Sequence, residues 1–222
     1  LRNAKNKQAF LDVVKQQTGI NIQIISGDEE AAHIYHGVKI NHQFHAPSVI
    51  MDIGGGSTEF IFADCSGITD KASFEIGVSR IYQHLNKPKQ LNEEMVAKIE
   101  RHLERETKHF FDEKEVNVLI GSSGSFKTFY ELYENQQYPR EAYVRIEMLD
   151  LLTNLNAIIY STKEQREQNH FIIPIRKKMI NIAAVKTSWI IKKLGIQEFI
   201  VSPYSLKEGA IFYDTNPILA FK

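Results

Sequence analysis

The sequence predicts an α/β fold, because segments with strand patterning and segments with helix patterning are mixed throughout its 222 residues. The segment 57–63 contains the β-favouring apolar run 60–63, whereas Met95, Ile99 and Leu103 recur at helical spacing. Hydrophobic residues make up 43% and charged residues 24% of the chain, an ordinary mixture for a globular protein. The length corresponds to one large domain, or to one domain and part of another.

The N-terminal quarter predicts a helix, a strand and a second helix. Residues 4–17 place apolar side chains on one helical face, and Gly19 follows as an end signal. Residues 20–25 alternate apolar with polar side chains, which is typical of a strand. Ser26 and Glu29 then have the spacing of a capping box, so a helix begins after Ser26.

The remaining elements follow from apolar runs, alternation and turn residues. Asn92 is an N-cap candidate for a long amphipathic helix, and Gly195 ends another. The predicted strands are 48–53, 57–63, 68–76, 116–120 and 199–201. The predicted helices are 79–86, the one that follows Asn92, 126–133, 146–159, 175–194 and 205–213, with loops at 39–47 and 134–144 and no assignment for 162–173.

Charge and composition exclude several classes of function. Lys plus Arg and Asp plus Glu both total 27, so the chain lacks the cationic excess of a general nucleic-acid binder. The single Cys65 excludes an internal disulfide framework and a multi-cysteine zinc site. No apolar run reaches the roughly 18 residues of a membrane span, and no signal-peptide core begins the sequence, so we expect a cytoplasmic protein without membrane partners.

A glycine-rich turn between two predicted strands is the most informative motif. Three consecutive glycines free the backbone to adopt positive φ, so that amide N–H groups can converge on an anion. Carboxylates flank the turn, and they are the hard oxygen ligands that suit Mg²⁺ bound together with phosphates. A hairpin with a loose glycine turn is the alternative interpretation. The predicted phosphate-binding residues are Gly54, Gly55, Gly56, Ser57 and Thr58, and the predicted metal-side carboxylates are Asp52 and Glu59.

A second glycine turn joins a buried strand to a helix. The N-terminus of a helix offers unpaired N–H groups and partial positive charge, both favourable for phosphate, although such turns are often purely structural. A polyanion needs two binding walls, so the second turn complements the first. The residues predicted here are Gly121, Ser122, Ser123 and Gly124.

Glu30 is the candidate general base. It lies in the first turn of the helix after Ser26, at helical spacing from Ile34 on the edge of the apolar face. A carboxylate partly withdrawn from water is a better proton acceptor. The alternative is a surface charge that stabilises the helix dipole.

Together these residues resemble the exopolyphosphatase/guanosine pentaphosphate phosphohydrolase (Ppx/GppA) family. The segments similar to family motifs are 1–6, 25–31, 52–59 and 205–210, with Lys207 in place of the family's Arg. The resemblance implies Glu30 as the base that orients and deprotonates water, Arg2 as a phosphate contact, and Mg²⁺ as the cofactor. It also implies Arg176, which lies where the family often has Arg, as a further phosphate contact; the alternative for this basic run is a solvated helix face. One departure is Glu75, which lies where some relatives have a basic residue.

The resemblance also implies an actin-like, ribonuclease H-like fold of two domains with a cleft between them. We expect residues 1–34 to belong to the first domain and residues 35–222 to the second, with the end of the chain packing back on the first. The family's first phosphate loop would precede Arg2, and the sequence looks like the short form of the family.

The implied activity is an exopolyphosphatase that releases phosphate from inorganic polyphosphate. Guanosine pentaphosphate is the alternative substrate, because it ends in the same phosphoanhydride bond. An ATP-dependent kinase or ATPase of the same superfamily, and a non-catalytic sensor, remain further alternatives. A homodimer is one assembly that we consider.

Overall fold

A mixed six-stranded sheet forms the centre of the molecule. The computed structural model describes residue 2 and residues 4–215, with side chains described as far as residue 212. The strands are β1 (Ser48–Ile53), β2 (Thr58–Asp64), β3 (Gly67–Phe74), β4 (Val118–Ser122), β5 (Val144–Ile146) and β6 (Glu198–Val201). Their order is β3-β2-β1-β4-β6-β5.

The strand directions bring the ends of β1 and β4 to the same edge of the sheet. β1, β2 and β3 form an antiparallel meander, while β4 runs parallel to β1, and β6 parallel to β4. Asp52 is therefore paired with Glu59 on one side and with Ser122 on the other. Both glycine turns begin at this edge.

Nine helices surround the sheet within the described residues. They are α1 (Lys7–Thr18), α2 (Gly27–Lys39), α3 (Val78–His84), α4 (Glu93–Thr107), α5 (Gly124–Glu134), α6 (Met148–Tyr160), α7 (Lys163–Gln168), α8 (Ile180–Leu194) and α9 (Leu206–Thr215). None of these helices combines the length and the apolar character needed to cross a membrane.

Alternation along the strands divides the core into two layers. Ile50, Ile61 and Ile120 face the layer that contains α2, whereas Met51 and Phe60 face the layer that contains α3, α4, α5, α6 and α8. Leu206 at the start of α9 packs on the α2 side. The residues on α2 that pack on the sheet are Ala31, Ile34, Tyr35 and Val38. The predicted domain boundary at residue 34 falls inside this helix, and the domain division stays a prediction.

Two glycines let α2 and α9 cross with their backbones in contact. A Cβ atom on Gly209 would lie 1.7 Å from the carbonyl oxygen of His33, and one on Gly37 would lie 2.1 Å from that of Ser205. No side chain fits at either position. Residues 216–222, which include the predicted end of the chain that packs back, lie outside the described residues.

The strand predicted at residues 20–25 is absent. This segment lies outside every helix and strand, and Ile20 and Ile22 are exposed. A strand needs a partner for its backbone N–H and C=O groups, and none of the sheet strands in the described part of the chain pairs with this segment. Alternation alone was therefore an insufficient signal.

Three smaller predictions in the C-terminal half also need correction. Residues 144–146, predicted as loop and helix start, form the edge strand β5, whose three residues are too few to show alternation. The unassigned region 162–173 contains α7, which begins with a capping box at Thr162. Helix α8 begins at Ile180 rather than at residue 175, because Arg176 and Met179 donate backbone hydrogen bonds to residues three positions earlier, which forms turns.

Candidate active site

The glycine turn between β1 and β2 is held by hydrogen bonds from the backbone at the start of α3. All three glycine carbonyls accept hydrogen bonds from consecutive backbone amides: Gly77 donates to Gly56 (3.2 Å), Val78 to Gly54 (3.1 Å) and Ser79 to Gly55 (2.9 Å). The contact is close, because a Cβ atom on Gly77 would lie 2.3 Å from the carbonyl oxygen of Gly55. The turn is therefore held with its carbonyls on one side.

The amides of Gly55, Gly56 and Ser57 accordingly remain available. No backbone carbonyl in the described ranges accepts a hydrogen bond from them, and all three residues line a cleft. The predicted positive φ is wrong, since none of the three glycines lies in the left-handed region. The glycines instead leave the backbone of the turn without side chains that would cover it. The space beside Gly56 is empty, since a Cβ there would meet nothing within 4 Å, so a ligand can approach the backbone.

The cleft has a volume of about 760 Å³ and lies between the glycine turn and the start of α2. Glu30 lines it from α2 and Arg80 from α3, while Arg2 approaches from the N-terminal segment. The further lining residues used below are Gly54, Gly55, Gly56, Ser57 and Ser73. The cleft thus combines free amides, two guanidinium groups and the carboxylates of Asp28, Glu30 and Glu75, the last of which is ion-paired with Arg80 (3.3 Å).

Glu30 is positioned by the N-terminus of α2. The capping box is present, because Ser26 Oγ accepts from the amide of Glu29 and the Glu29 carboxylate accepts from the amide of Ser26. The next carboxylate, that of Glu30, is ion-paired with Arg2, and its side chain is 22% exposed. It is therefore partly buried, as predicted, and faces the cleft that the glycine turn lines.

Asp52 and Glu59 lie side by side at the ends of β1 and β2 and are almost completely buried. Their exposed fractions are 9% and 1%, and they are direct cross-strand partners. Asp52 Oδ2 accepts a hydrogen bond from Ser205 Oγ (2.6 Å), and Glu59 Oε1 accepts one from Ser73 Oγ (2.6 Å). Each carboxylate is thus oriented by a serine from a different element.

Burial and neighbouring charge disfavour ionisation of this pair. Burial, together with the negative charges of Glu59 and Glu30, raises the pKa of Asp52 to about 7, although the Ser205 hydrogen bond opposes the shift. Burial also raises the pKa of Glu59. The three carboxylates interact electrostatically, so a cation that bound among them would relieve their repulsion.

The donor set is compatible with a hard divalent cation. Magnesium usually takes one or two protein carboxylates and completes its shell with water and substrate phosphate oxygens. Asp52 and Glu59 supply two such carboxylates at the strand ends that flank the glycine turn, but neither of them lines the cleft. In the described part of the chain, no group of three or more His, Cys, Asp or Glu side chains is arranged to bind a metal by itself. The residues therefore fit Mg²⁺ shared with a phosphate and not an all-protein metal site.

The second glycine turn lies on the other side of Asp52 and does not line this cleft. Ser122 is the β4 partner of Asp52, but its side chain is buried and donates to the carbonyl of Tyr204 (3.4 Å). Gly121 has a packing role, because a Cβ there would lie 2.4 Å from the ring of Phe126. Ser123 is close enough to Asp52 for its hydroxyl to lower the pKa of that carboxyl.

Arg176 packs directly against the second turn. A Cβ on Gly124 would lie 1.6 Å from Nη2 of Arg176, and Nη1 of the same side chain donates to Thr128 Oγ1 (3.5 Å). The sequence did not predict this contact between Arg176 and the turn. The phosphate-binding roles of residues 121–124 and of Arg176 stay predictions.

Comparison with known proteins identifies the family. The profile of the Ppx/GppA phosphatase family matches residues 1–216. The chain belongs to this family. The resemblance inferred from the sequence motifs is confirmed.

Curated proteins of the family match parts of longer chains. The bifunctional 3-dehydroquinate synthase/phosphatase of Fusobacterium nucleatum is 30% identical over 219 residues, which cover 95% of this chain and 33% of that protein. The guanosine-5′-triphosphate,3′-diphosphate pyrophosphatase of Vibrio parahaemolyticus is 32% identical over 140 residues, which cover 60% of this chain and 27% of that protein. The chain thus spans about a third or less of these relatives.

Solved structures of the family have the same fold. An exopolyphosphatase from Cytophaga hutchinsonii superposes with a TM-score of 0.91 at 27% identity, covering 97% of this chain and 72% of that one. The Aquifex aeolicus Ppx/GppA family member superposes with a TM-score of 0.81 at 23% identity, covering 96% and 71%. The predicted actin-like α/β fold is therefore confirmed.

Sequence reasoning missed four polar residues around the Ppx/GppA site: Ser73, Arg80, Lys186 and Ser205. Ser73 could have been found from strand register, since it pairs with Glu59. Lys186 also had a signal, because it falls on the helical stripe of Met179, Ala183 and Ile190, where an apolar residue is expected. No comparable sequence signal distinguished Arg80.

Proposed function

We propose that this chain forms the catalytic part of a phosphoanhydride hydrolase that removes the terminal phosphate of inorganic polyphosphate. The observation that carries the proposal is the cleft itself: the free amides of 55–57 and the carboxylate of Glu30 line the same space. Free amides beside cationic side chains suit a phosphoryl group, and a carboxylate nearby suits the activation of water. The similarity to the Cytophaga hutchinsonii exopolyphosphatase supports polyphosphate as the substrate.

The chain's own residues account for binding. The amides of Gly55, Gly56 and Ser57 would bind the oxygens of the terminal phosphoryl group, and Arg80, which donates from Nε to the carbonyl of Gly56, would add positive charge. Arg2 is ion-paired with Glu30. An anionic substrate competes for the Arg2 guanidinium, so substrate binding would release the Glu30 carboxylate at the point where water must be activated.

The reaction is an in-line displacement at the terminal phosphorus. Glu30 accepts a proton from water as the water oxygen bonds to phosphorus, and the bond from phosphorus to the bridging oxygen breaks. The shortened polyphosphate leaves with that oxygen, and inorganic phosphate is the second product. Asp52 and Glu59 would hold Mg²⁺, which supplies charge neutralisation to the phosphoryl oxygens.

Guanosine pentaphosphate is the second candidate substrate. The Vibrio relatives are guanosine-5′-triphosphate,3′-diphosphate pyrophosphatases, and the bond broken is again a terminal phosphoanhydride. The cleft features that bind a terminal phosphate and activate water serve both substrates equally.

The test is a side-by-side assay of phosphate release from long-chain polyphosphate and from guanosine pentaphosphate by the complete protein with Mg²⁺. We expect turnover of at least one substrate, with inorganic phosphate as a product. Formation of ADP together with a phosphorylated acceptor from ATP would replace the proposal by a kinase. Binding of either compound without turnover would replace it by a sensor.

A further inference from the structure

Lys186 is a buried lysine beneath the phosphate-binding turn that the mechanism above does not use. It belongs to α8, on the sheet face opposite α2, and its exposed fraction is 0%. Its ammonium group donates to Thr58 Oγ1 and to the carbonyl oxygen of Ile76 (2.6 Å). The side chain therefore reaches the turn from below, on the side away from the cleft.

The two acceptors lie on the two segments that frame the turn. Thr58 follows Ser57 directly and begins β2. Ile76 directly precedes Gly77, the first of the three residues whose amides bind the glycine carbonyls. One ammonium group thus joins the exit of the turn to the segment that fixes its carbonyls.

Burial of this ammonium group costs desolvation free energy that its hydrogen bonds must offset. Burial lowers the pKa of Lys186 to about 7, opposed by the negative charges of Glu59 and Asp52. The positive charge of Lys186 also lowers the pKa of His102 slightly, although burial is the main cause of that shift. No carboxylate among the side chains that the structure describes, which end at residue 212, lies within ion-pair distance of the Lys186 nitrogen. An apolar side chain of similar length would fill the same space without the desolvation penalty.

We propose that Lys186 is a positioning residue whose two hydrogen bonds hold the phosphate-binding turn in its ligand-accepting shape. When the amine is protonated, its positive charge strengthens both bonds, since charge-assisted hydrogen bonds are about twice as strong as neutral ones. The inference rests on the proposed function, because it assigns Lys186 to the phosphate site of that reaction. The two hydrogen bonds of Lys186 would hold the turn in this shape in the absence of substrate as well.

The experiment compares Lys186→Met with Lys192→Met. Lys192 lies on the same helix and is exposed, so its substitution is a matched control. For Lys186→Met we expect kcat/KM for polyphosphate to fall by about 10- to 100-fold, because small displacements of positioning groups cost rates of this order. Amide hydrogen exchange in 54–58 and 76–79 should become faster in the absence of substrate. Lys192→Met should change neither quantity.

Two further variants separate positioning from general stability. Thr58→Val removes one acceptor and keeps the lysine, so we expect a smaller loss in kcat/KM and little additional loss in the Lys186→Met background. Lys186→Gln keeps a donor without the charge and should recover part of the loss. A non-specific packing defect would not be rescued in this way and would add to the effect of Thr58→Val.

Each outcome decides the proposal. Wild-type values of kcat/KM and of loop exchange in folded Lys186→Met would overturn it. If Lys186→Met does not fold, unchanged exchange and kinetics in both Lys186→Gln and Thr58→Val would overturn it. If the wild-type protein hydrolyses neither polyphosphate nor guanosine pentaphosphate, the proposed function fails, while the exchange comparison still tests whether Lys186 holds the turn.

Discussion

Ser205 Oγ donates a 2.6 Å hydrogen bond to Oδ2 of Asp52, which joins the residue before α9 to the end of β1. The same serine donates its backbone amide to the Glu208 carboxylate (3.0 Å), so its position is fixed by the first turn of the helix. A candidate metal carboxylate is therefore oriented by a helix that packs on α2, the helix that contains Glu30. Glu30 and Asp52 are positioned by the same pair of helices.

Ser205→Ala should destabilise the protein more at high pH than at low pH. Burial raises the pKa of Asp52 in the folded protein from its ordinary value of 3.8 to about 7. The contribution of Asp52 to the free energy of unfolding is fully present below pH 3.8 and is lost as the pH rises through about 7. The serine opposes this loss because it hydrogen-bonds the ionised form. We expect losses of about 0.5–1.5 kcal/mol near pH 5 and about 1.5–3 kcal/mol near pH 8.5.

Urea denaturation without divalent cations at both pH values measures this difference. Ser48→Ala is the matched control. Ser48 is also buried, but its Oγ donates to the carbonyl oxygen of Ala46 (2.8 Å), a group that does not titrate. Its destabilisation should be the same at both pH values. Equal destabilisation by Ser205→Ala near pH 5 and near pH 8.5 would show that Asp52 does not ionise in this window.

Asp52→Asn should increase the Mg²⁺ concentration needed for half-maximal activity. An amide oxygen is a weaker ligand than a carboxylate, and groups around metal sites typically change affinity 10- to 100-fold when they are altered. We expect at least about a tenfold increase. Asp64→Asn, a substitution at the partly exposed last residue of β2, is the control. An unchanged magnesium titration in Asp52→Asn would remove this residue from the metal site.

Gly209→Ala should destabilise the fold although alanine is the better helix former. The added Cβ would lie 1.7 Å from the carbonyl oxygen of His33 and 2.6 Å from the amide nitrogen of Gly37. These are backbone atoms, so α2 and α9 must separate. We expect a loss of about 1–3 kcal/mol in the free energy of unfolding. In the control Gly56→Ala, the added Cβ has nothing within 4 Å, and the stability should stay within about 0.5 kcal/mol.

Local sequence signals predicted those elements of the fold that have strong local determinants. Strands β1 and β2 were correct because each has a run of three or four apolar residues next to a clear turn, and the helix capped by Asn92 was correct because its apolar residues recur at helical spacing after the cap. Residues 20–25 were wrong for the opposite reason. Whether an alternating segment becomes a strand depends on a partner distant in sequence, and β5 exists only because β6 provides one.

The candidate site was predictable where one short motif contained both the geometry and the chemistry. The turn at 54–57 and Glu30 line a common cleft, as the sequence suggested. The two glycine turns, 54–57 and 121–124, do not line one cleft as we predicted. The order of the strands places Asp52 between them. Contacts such as that between Lys186 and Thr58 span 128 residues, and no local pattern contains them.

Glu30→Gln should abolish most turnover while leaving substrate binding intact. Glutamine has the same shape and can still accept a hydrogen bond from Arg2, but it cannot accept a proton from water. General-base groups contribute about 100- to 10,000-fold, so we expect kcat to fall by that factor and KM to change little. Phosphate release from polyphosphate and an independent binding titration measure the two quantities.

Glu29→Gln is the control for Glu30→Gln, because it makes the same chemical change one residue earlier. The Glu29 carboxylate caps the amide of Ser26 (2.6 Å), and glutamine at this position also completes a capping box. Turnover should therefore stay within about twofold of the wild type, since substitutions away from the site have small effects. Loss of turnover in both variants would point to damage to α2. Retention of turnover in Glu30→Gln would mean that another group activates the water.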